Sequence, residues 1–358
     1  MSIRRRLMAA FVAGGLLAGA IGAPAGAVVA PKLLLYPGSG CVYWTGGAGV
    51  VYTITILDGT DVLDVAAATT DGSGNGYICA PFPVVAGMKV RIQTSGYTRT
   101  ITVPAFSVRT DRNGDVVSGL APAGKSISVT VNRYATGTYG PGPTIAKTVT
   151  ATASGTFSVD VTADGGFRGG DYVYVVYTNT TTGDEFRHSG QVEYMRVVRG
   201  SPTAEGHLNP GVTELELRTS AGAVRGRAYL APGGSETYAT GMFRTGAGTA
   251  VYPRAGDKVV GDFASDATLT VPAITVTADP GSDVVTLTCP GMTGQGAYIS
   301  VRKADYSDSA YRSGTTNASG VRTWDVTADI DLAAGDVLYG KCRFDSGDEI
   351  VRHGRIAP

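Results

Sequence analysis

The sequence predicts an all-β chain: four tandem β-sandwich domains behind a cleaved export signal, arranged as a two-domain unit present twice. Three observations predict it. Apolar and polar residues alternate over short runs bounded by Gly and Pro, two markers recur four times at one period, and alternate domains share matching segments. Composition agrees. Of 358 residues 51 are Gly, without the three-residue period of collagen, and 43% are hydrophobic against 17% charged, ample material for packed cores.

The first element is a leader. Residues 1–27 begin with Arg4, Arg5 and Arg6, continue through an apolar stretch from Leu7 to Ile21, and end on the small residues Ala25 and Ala27. This is the pattern of a secretory signal cut after Ala27, and the apolar stretch is shorter than the roughly 20 residues that span a bilayer. The mature chain is therefore expected to be secreted, with no membrane span. Losing the three arginines turns a formal charge of zero into a small acidic excess, which leaves no electrostatic footprint for nucleic acid.

The repeats come next. Gly87-Met88, Gly170-Asp171, Gly256-Asp257 and Gly335-Asp336 open strand-like runs at spacings of 83, 86 and 79 residues. A Pro and Gly precede each at Pro37-Gly38, Pro122 with Gly124, Pro210-Gly211 and Pro290-Gly291. The implied domains are 28–106, 107–198, 199–274 and 275–358. GTFSVDVTADGGFRGGD at 155–171 matches GVRTWDVTADIDLAAGD at 320–336, and TITVPAFSVRTD at 100–111 matches TLTVPAITVTAD at 268–279. The first domain thus resembles the third and the second resembles the fourth.

Within a domain the period is two. Val285, Leu287 and Cys289 share one strand face, as do Ile299 with Val301, Trp324 with Val326, and Leu338, Gly340, Cys342 and Phe344. In the second domain Val117, Val129, Val131, Phe157, Val159, Val161, Val173 and Val175 form the matching inward set.

The segments GVRTWDVTADIDLAAGDVLYGKCRFDSGDE and GTFSVDVTADGGFRGGDYVYVVYTNTTTGDE resemble the bacterial immunoglobulin-like repeats of secreted and surface proteins. That resemblance implies immunoglobulin-like sandwiches used as stalk, spacer or adhesive modules, and no particular ligand. The four cysteines fall two in the first domain and two in the fourth, so Cys41 is expected to pair with Cys79 and Cys289 with Cys342. The second bridge is expected between opposing sheets, as in immunoglobulin domains, with Ala121 and Tyr177 filling its place in the second domain. Cys41 follows its Pro-Gly turn and Cys289 precedes its own, so the two bridges are not strictly equivalent. Metal binding by the cysteines is the rival reading, without a CxxC or a nearby His to support it.

Chemistry-bearing motifs are scarce. HExxH, GxSxG and Walker patterns cannot be written on the chain, whose three His are His188, His207 and His353. His188 and His353 close the equivalent runs GDEFRH and GDEIVRH, but they lie four and five residues after Asp184 and Asp348, an unequal parity for a shared ligand role. Asp111, Asn113 and Asp115 around Gly114 offer alternating oxygens suited to Ca²⁺, with ordinary turn chemistry as the competing account. Tyr43, Trp44, Tyr134 and Tyr139 are candidates for stacking on sugar rings. No cofactor is otherwise called for. The reading is a secreted, non-enzymatic spacer or adhesive module whose partner is an extracellular protein or glycan. The alternative is a carbohydrate-binding protein acting on cell-wall or environmental polysaccharide. Direct linkers at VPAFSVRTD and VPAITVTAD predict stiff joints inside each pair. Gly200, Ser201 and Pro202 predict a bend between pairs, and four sandwiches in line would reach about 120 to 150 Å.

Overall fold

The computed structural model describes residues 29–134, 141–209, 211–232, 238–265 and 267–357; the expected leader, Tyr139 and Pro210 lie outside the described residues, as does the side chain of Tyr134. Among the described residues strands dominate, with one single-turn 3₁₀ helix at Thr162–Asp164, and no helix is long and apolar enough to cross a membrane. In chain order the first strands are β1 (Lys32–Leu35), β2 (Cys41–Thr45), β3 (Val51–Asp58), β4 (Asp61–Thr69), β5 (Asn75–Cys79), β6 (Lys89–Thr94) and β7 (Tyr97–Thr102). Then come β8 (Ser107–Asp111), β9 (Val116–Leu120), β10 (Ser126–Tyr134), β11 (Pro141–Thr150), β12 (Thr156–Asp160), β13 (Tyr172–Thr178) and β14 (Glu185–Gln191). The second half repeats this course: β15 (Tyr194–Arg199), β16 (Thr203–His207), β17 (Thr213–Arg218), β18 (Val224–Leu230), β19 (Tyr238–Met242), β20 (Lys258–Gly261) and β21 (Thr268–Thr270). It closes with β22 (Thr275–Asp279), β23 (Val284–Thr288), β24 (Gly296–Arg302), β25 (Ser309–Thr315), β26 (Val321–Asp325), β27 (Val337–Arg343) and β28 (Glu349–Arg355).

Period-two alternation becomes burial. Val285, Leu287, Cys289, Ile299, Val301 and Cys342 are fully buried, as are Val117, Val131, Val161, Val173 and Val175. Each such aliphatic side chain contributes about 1.5 to 3 kcal/mol by leaving water. Gly340 sits on the inward parity of β27 because a Cβ there would come 2.7 Å from Leu287 Cδ1, so only glycine lets the two sheets meet. Buried apolar side chains gather into two clusters, one formed within residues 33–192 and the other within 195–356.

Sheet topology explains why there are two. Four smaller sheets run β4-β3-β6-β7, β12-β9-β8, β18-β17-β20-β21 and β22-β23-β26. Across from them lie two seven-stranded sheets, β11-β10-β13-β14-β1-β2-β5 and β19-β16-β15-β28-β27-β24-β25. Each large sheet is joined in its middle by a parallel pair, β1 with β14 (Leu34 opposite Glu185) and β15 with β28 (Arg196 opposite Glu349). Sandwiches within a pair therefore lie side by side on one shared sheet, which corrects the expectation of four units in line. Residues 195–206 are likewise no bending linker. They form the β15–β16 hairpin, Tyr194 opposite His207, and the passage from β14 to β15 takes only Val192 and Glu193.

Each parallel seam carries the same lock. Asp184, in the turn before β14, accepts the Leu33 amide at 2.8 Å and the Thr182 hydroxyl at 2.6 Å, and pairs with Arg99 of β7 at 2.5 Å. Asp348, before β28, accepts the Met195 amide and the Ser346 hydroxyl, both at 2.9 Å. Its cation comes from the other half of the chain. Arg112 forms two hydrogen bonds of 3.0 Å to Asp348 and a third of 3.0 Å to the Glu193 carbonyl. Ala267 stands where Arg99 stands in the first copy, so the second seam depends on a guanidinium from the first pair.

The chain holds two disulfides, Cys41–Cys79 and Cys289–Cys342. Cys289 and Cys342 are fully buried and tie β27 to the end of β23 in the opposing sheet. Cys41 and Cys79 instead face each other in the β2–β5 ladder of a single sheet. Closing loops of 38 and 53 residues removes about 4 kcal/mol each of unfolded-chain entropy in the loop model. Ala121 and Tyr177, both buried, occupy the core of the first cluster, where Tyr177 stacks on Phe186 at 5.9 Å.

Candidate functional site: the outer faces of the two shared sheets

Parity separates the expected sugar-stacking residues. Neighbours on a strand point to opposite faces, and in β2 Trp44 faces inward, 1% exposed, with its indole against Tyr52 at 6.0 Å. Gly76 on the paired strand leaves room for that ring, since a Cβ there would lie 2.5 Å from it. Trp44 is a core residue and cannot stack on an external sugar. Tyr43 faces outward with Cys41 and Thr45. Its ring stacks on Tyr77 of β5 at 5.9 Å and 28°, and meets Tyr36 edge-on at 5.9 Å. Tyr77 is 64% exposed. Around this pair a depression of about 820 Å³ is lined by Lys32, Leu34, Thr45, Asn75, Glu185 and Arg187, among others. Arg187 holds Glu185 through Nε at 2.9 Å and a terminal nitrogen at 2.6 Å. The Cys41–Cys79 bridge lies in the same ladder two residues away, stapling the strands that carry the two rings.

The second shared sheet presents equivalent positions with other chemistry. Strand register aligns the row Lys32, Thr45, Asn75 with Tyr194, His207, Tyr238, and the row Leu34, Tyr43, Tyr77 with Arg196, Glu205, Thr240. His207 is sandwiched by Tyr194 at 5.5 Å and Tyr238 at 5.0 Å. Glu349 accepts from Lys341 Nζ at 2.9 Å and Arg196 Nε at 2.8 Å, and Arg196 reaches Glu205 at 3.3 Å. Burial pushes the Glu349 carboxyl up, but Lys341, Arg196 and Arg343 outweigh it and hold the group below the usual carboxylate range. Burial, aided by the hydrogen bond to Glu205, pushes the Tyr238 phenol up to about 12, and burial raises Tyr194 and Tyr339 as well. All three hydroxyls are neutral near pH 7. His207 and His353 are held below the ordinary imidazole value, first by burial and then by Arg196 and Arg352 respectively.

Asp111, Asn113 and Asp115 each commit one oxygen, Oδ1, to backbone donors. Asp111 Oδ1 accepts the amides of Asn113 at 3.0 Å and Gly114 at 3.1 Å, and Asn113 Oδ1 accepts that of Ser265 at 3.2 Å. Asp115, at φ 52°, accepts the Phe167 amide at 2.6 Å. Its counterpart Asp283, at φ 50°, accepts the Leu332 amide at 2.9 Å, so this aspartate braces the same loop in both copies. Among the described residues no group of three or more His, Cys, Asp and Glu is placed to hold a metal ion. His188 and His353 are on different sheets.

Sequence reasoning found Tyr43 and missed Tyr36 and Tyr77. A signal existed. The runs Cys41-Val42-Tyr43 and Tyr77-Ile78-Cys79 mirror each other, so two antiparallel strands with the cysteines opposed must also oppose the tyrosines.

No protein-family description matches the chain, and no curated protein does. Solved structures similar to it include a tetra-tandem repeat from the extending region of a large adhesion protein, 14% identical over 92% of this chain and 99% of that one, TM-score 0.19. The BSP domain of a biofilm-associated protein is 8% identical over 97% and 99%, TM-score 0.18. The FN1–FN3 domains of chicken CNTN1 are 9% identical over 92% and 98%, TM-score 0.19. Nothing about function follows from scores this low.

Proposed function

We propose that the chain is an exported, non-enzymatic adhesive module in which four immunoglobulin-like sandwiches, paired on two shared sheets, hold rigid outer faces toward an extracellular protein or glycan. The observation that carries this is the exposed Tyr43–Tyr77 stack, fixed by the neighbouring disulfide within a seven-stranded sheet. Large rings kept in water at a rigid, stapled position serve recognition better than folding. Location outside the cytoplasm is supported by the leader pattern and by two bridges of a kind that persists in oxidising compartments. Carbohydrate binding is the favoured form of adhesion at this face, because Lys32, Asn75 and Arg187 surround the rings with hydrogen-bonding groups. The test is retention of the mature protein on immobilised cell-wall polysaccharide and matrix protein, compared with Tyr77→Ser. Because Tyr77 is exposed, the variant should keep its melting temperature and lose retention on polysaccharide. Equal retention of the two proteins refutes the assignment to this face.

A further inference from the structure

The outer face of the other shared sheet carries a second groove, and reading it as a site rests on the adhesive reading only for the premise that these faces meet ligands. A groove of about 640 Å³ crosses β24, β27 and β28, lined by Tyr298, Arg302, Tyr306, Tyr339, Lys341 and His353. Tyr298 and Tyr339 meet at 6.0 Å and 79°, and Tyr339 and His353 at 5.2 Å and 88°, so ring faces and ring edges alternate along the groove.

The cations of this groove differ. Lys341 is buried and satisfied by Glu349 at 2.9 Å. Arg302 is exposed and forms no ion pair among the described residues. Its guanidinium lies 5.4 Å from the centre of the Tyr306 ring. Tyr306 is 66% exposed and has φ 65°, a left-handed conformation that is rare for a bulky side chain. Tyr306 sits in the turn between β24 and β25 with its amide on the Lys303 carbonyl, and its ring stays in water beside a guanidinium whose other neighbour is the exposed Tyr311 hydroxyl. Such features gather where a ligand binds.

Ligand class follows from the chemistry. Tyrosine faces pack the C–H surfaces of a sugar ring while hydroxyl groups meet its hydroxyls, and a fixed guanidinium recognises a carboxylate. A peptide adding as a strand is disfavoured here. β24 lies between β27 and β25, and β27 between β28 and β24, so neither offers a free edge. We infer that this groove binds an acidic saccharide, a chain of uronic-acid units, with a carboxylate on Arg302 and a sugar ring against Tyr298 and Tyr339.

The experiment is calorimetric titration of the mature full-length protein with oligogalacturonate, with a neutral galactan oligosaccharide and polyglutamate as comparisons. Arg302→Gln and Tyr306→Ser change exposed side chains, and their melting temperatures verify the fold. Oligogalacturonate should bind wild type, each variant should bind it about tenfold or more weakly, as for loss of one charge-assisted or stacking contact, and galactan should bind wild type at least as weakly. Polyglutamate binding as tightly as oligogalacturonate, unchanged affinity in Arg302→Gln, or no binding by wild type overturns the inference. Tyr77→Ser separates the two readings. Failure here with Tyr77-dependent retention on polysaccharide leaves the first site standing, whereas failure of both assays removes both.

Discussion

Removing the Arg112 guanidinium should uncouple the two halves of the chain and weaken the second. In Arg112→Ala the Asp348 carboxylate, fully buried, would keep the Met195 amide and the Ser346 hydroxyl but lose both guanidinium contacts. Stripping one partner from a buried ion pair costs about 3 to 5 kcal/mol, because the remaining charge is stranded out of water. That cost falls on the residue 195–356 cluster, whose β15–β28 seam Asp348 closes, and not on the residue 33–192 cluster. For a unit of this size each kcal/mol shifts the melting temperature by about 2 to 4 °C, so the second cluster should melt about 6 to 20 °C earlier. Calorimetry of the protein would then show two transitions, or a wider gap between existing ones. Asp348→Asn combined with Arg112→Ala should recover part of the loss, since no stranded charge remains. Arg99→Ala is the matching change in the first seam. Arg99 is 16% exposed, so water compensates Asp184 and the penalty should be smaller, about 1 to 3 kcal/mol. A loss below about 1 kcal/mol in Arg112→Ala, or an equal shift of both clusters, would refute the view that the first half completes the second seam.

Core and surface aromatics should part company: Trp44→Ala is expected to cost about 3 to 5 kcal/mol in urea unfolding, whereas exposed Tyr77→Ser should leave the denaturation midpoint unchanged. Acid should destabilise the chain as pH falls through about 6.5. His188, His207 and His353 are all held below the ordinary imidazole value, chiefly by burial, so the unfolded chain binds more protons in that window. Melting temperatures between pH 8 and 5 check this, and His207→Gln should flatten the slope. Glu193 acts in the opposite sense, because burial raises its carboxyl and the folded chain gains protons first; Glu193→Gln should therefore steepen the slope. Calcium against chelator should leave the melting curve unmoved, since one oxygen of each of Asp111, Asn113 and Asp115 is already held by backbone amides; a rise of several degrees would show that the ion displaces those bonds.

Strand identity and inward parity were readable from residue order because a half-buried strand has a period of two. Val285, Leu287, Ile299 and Val301 fall to a core by alternation alone. The same parity forbids Tyr43 and Trp44 from sharing a face, so listing both as sugar-stacking residues overlooked information already present in the chain. Which of the two faces outward followed from the alternation of Val42 and Trp44 against Cys41, Tyr43 and Thr45. Lateral pairing was another matter. A parallel seam such as β1 with β14 joins segments some 150 residues apart through backbone hydrogen bonds, and backbone groups are alike in every residue. Linker composition therefore suggested units in line, whereas packing placed them edge to edge. Arg112 and Asp348 are 236 residues apart, and the groove around Arg302 draws on β24, β27, β28 and a turn. Such sites exist only once the sheets have closed, because their chemistry depends on which side chains lose water together.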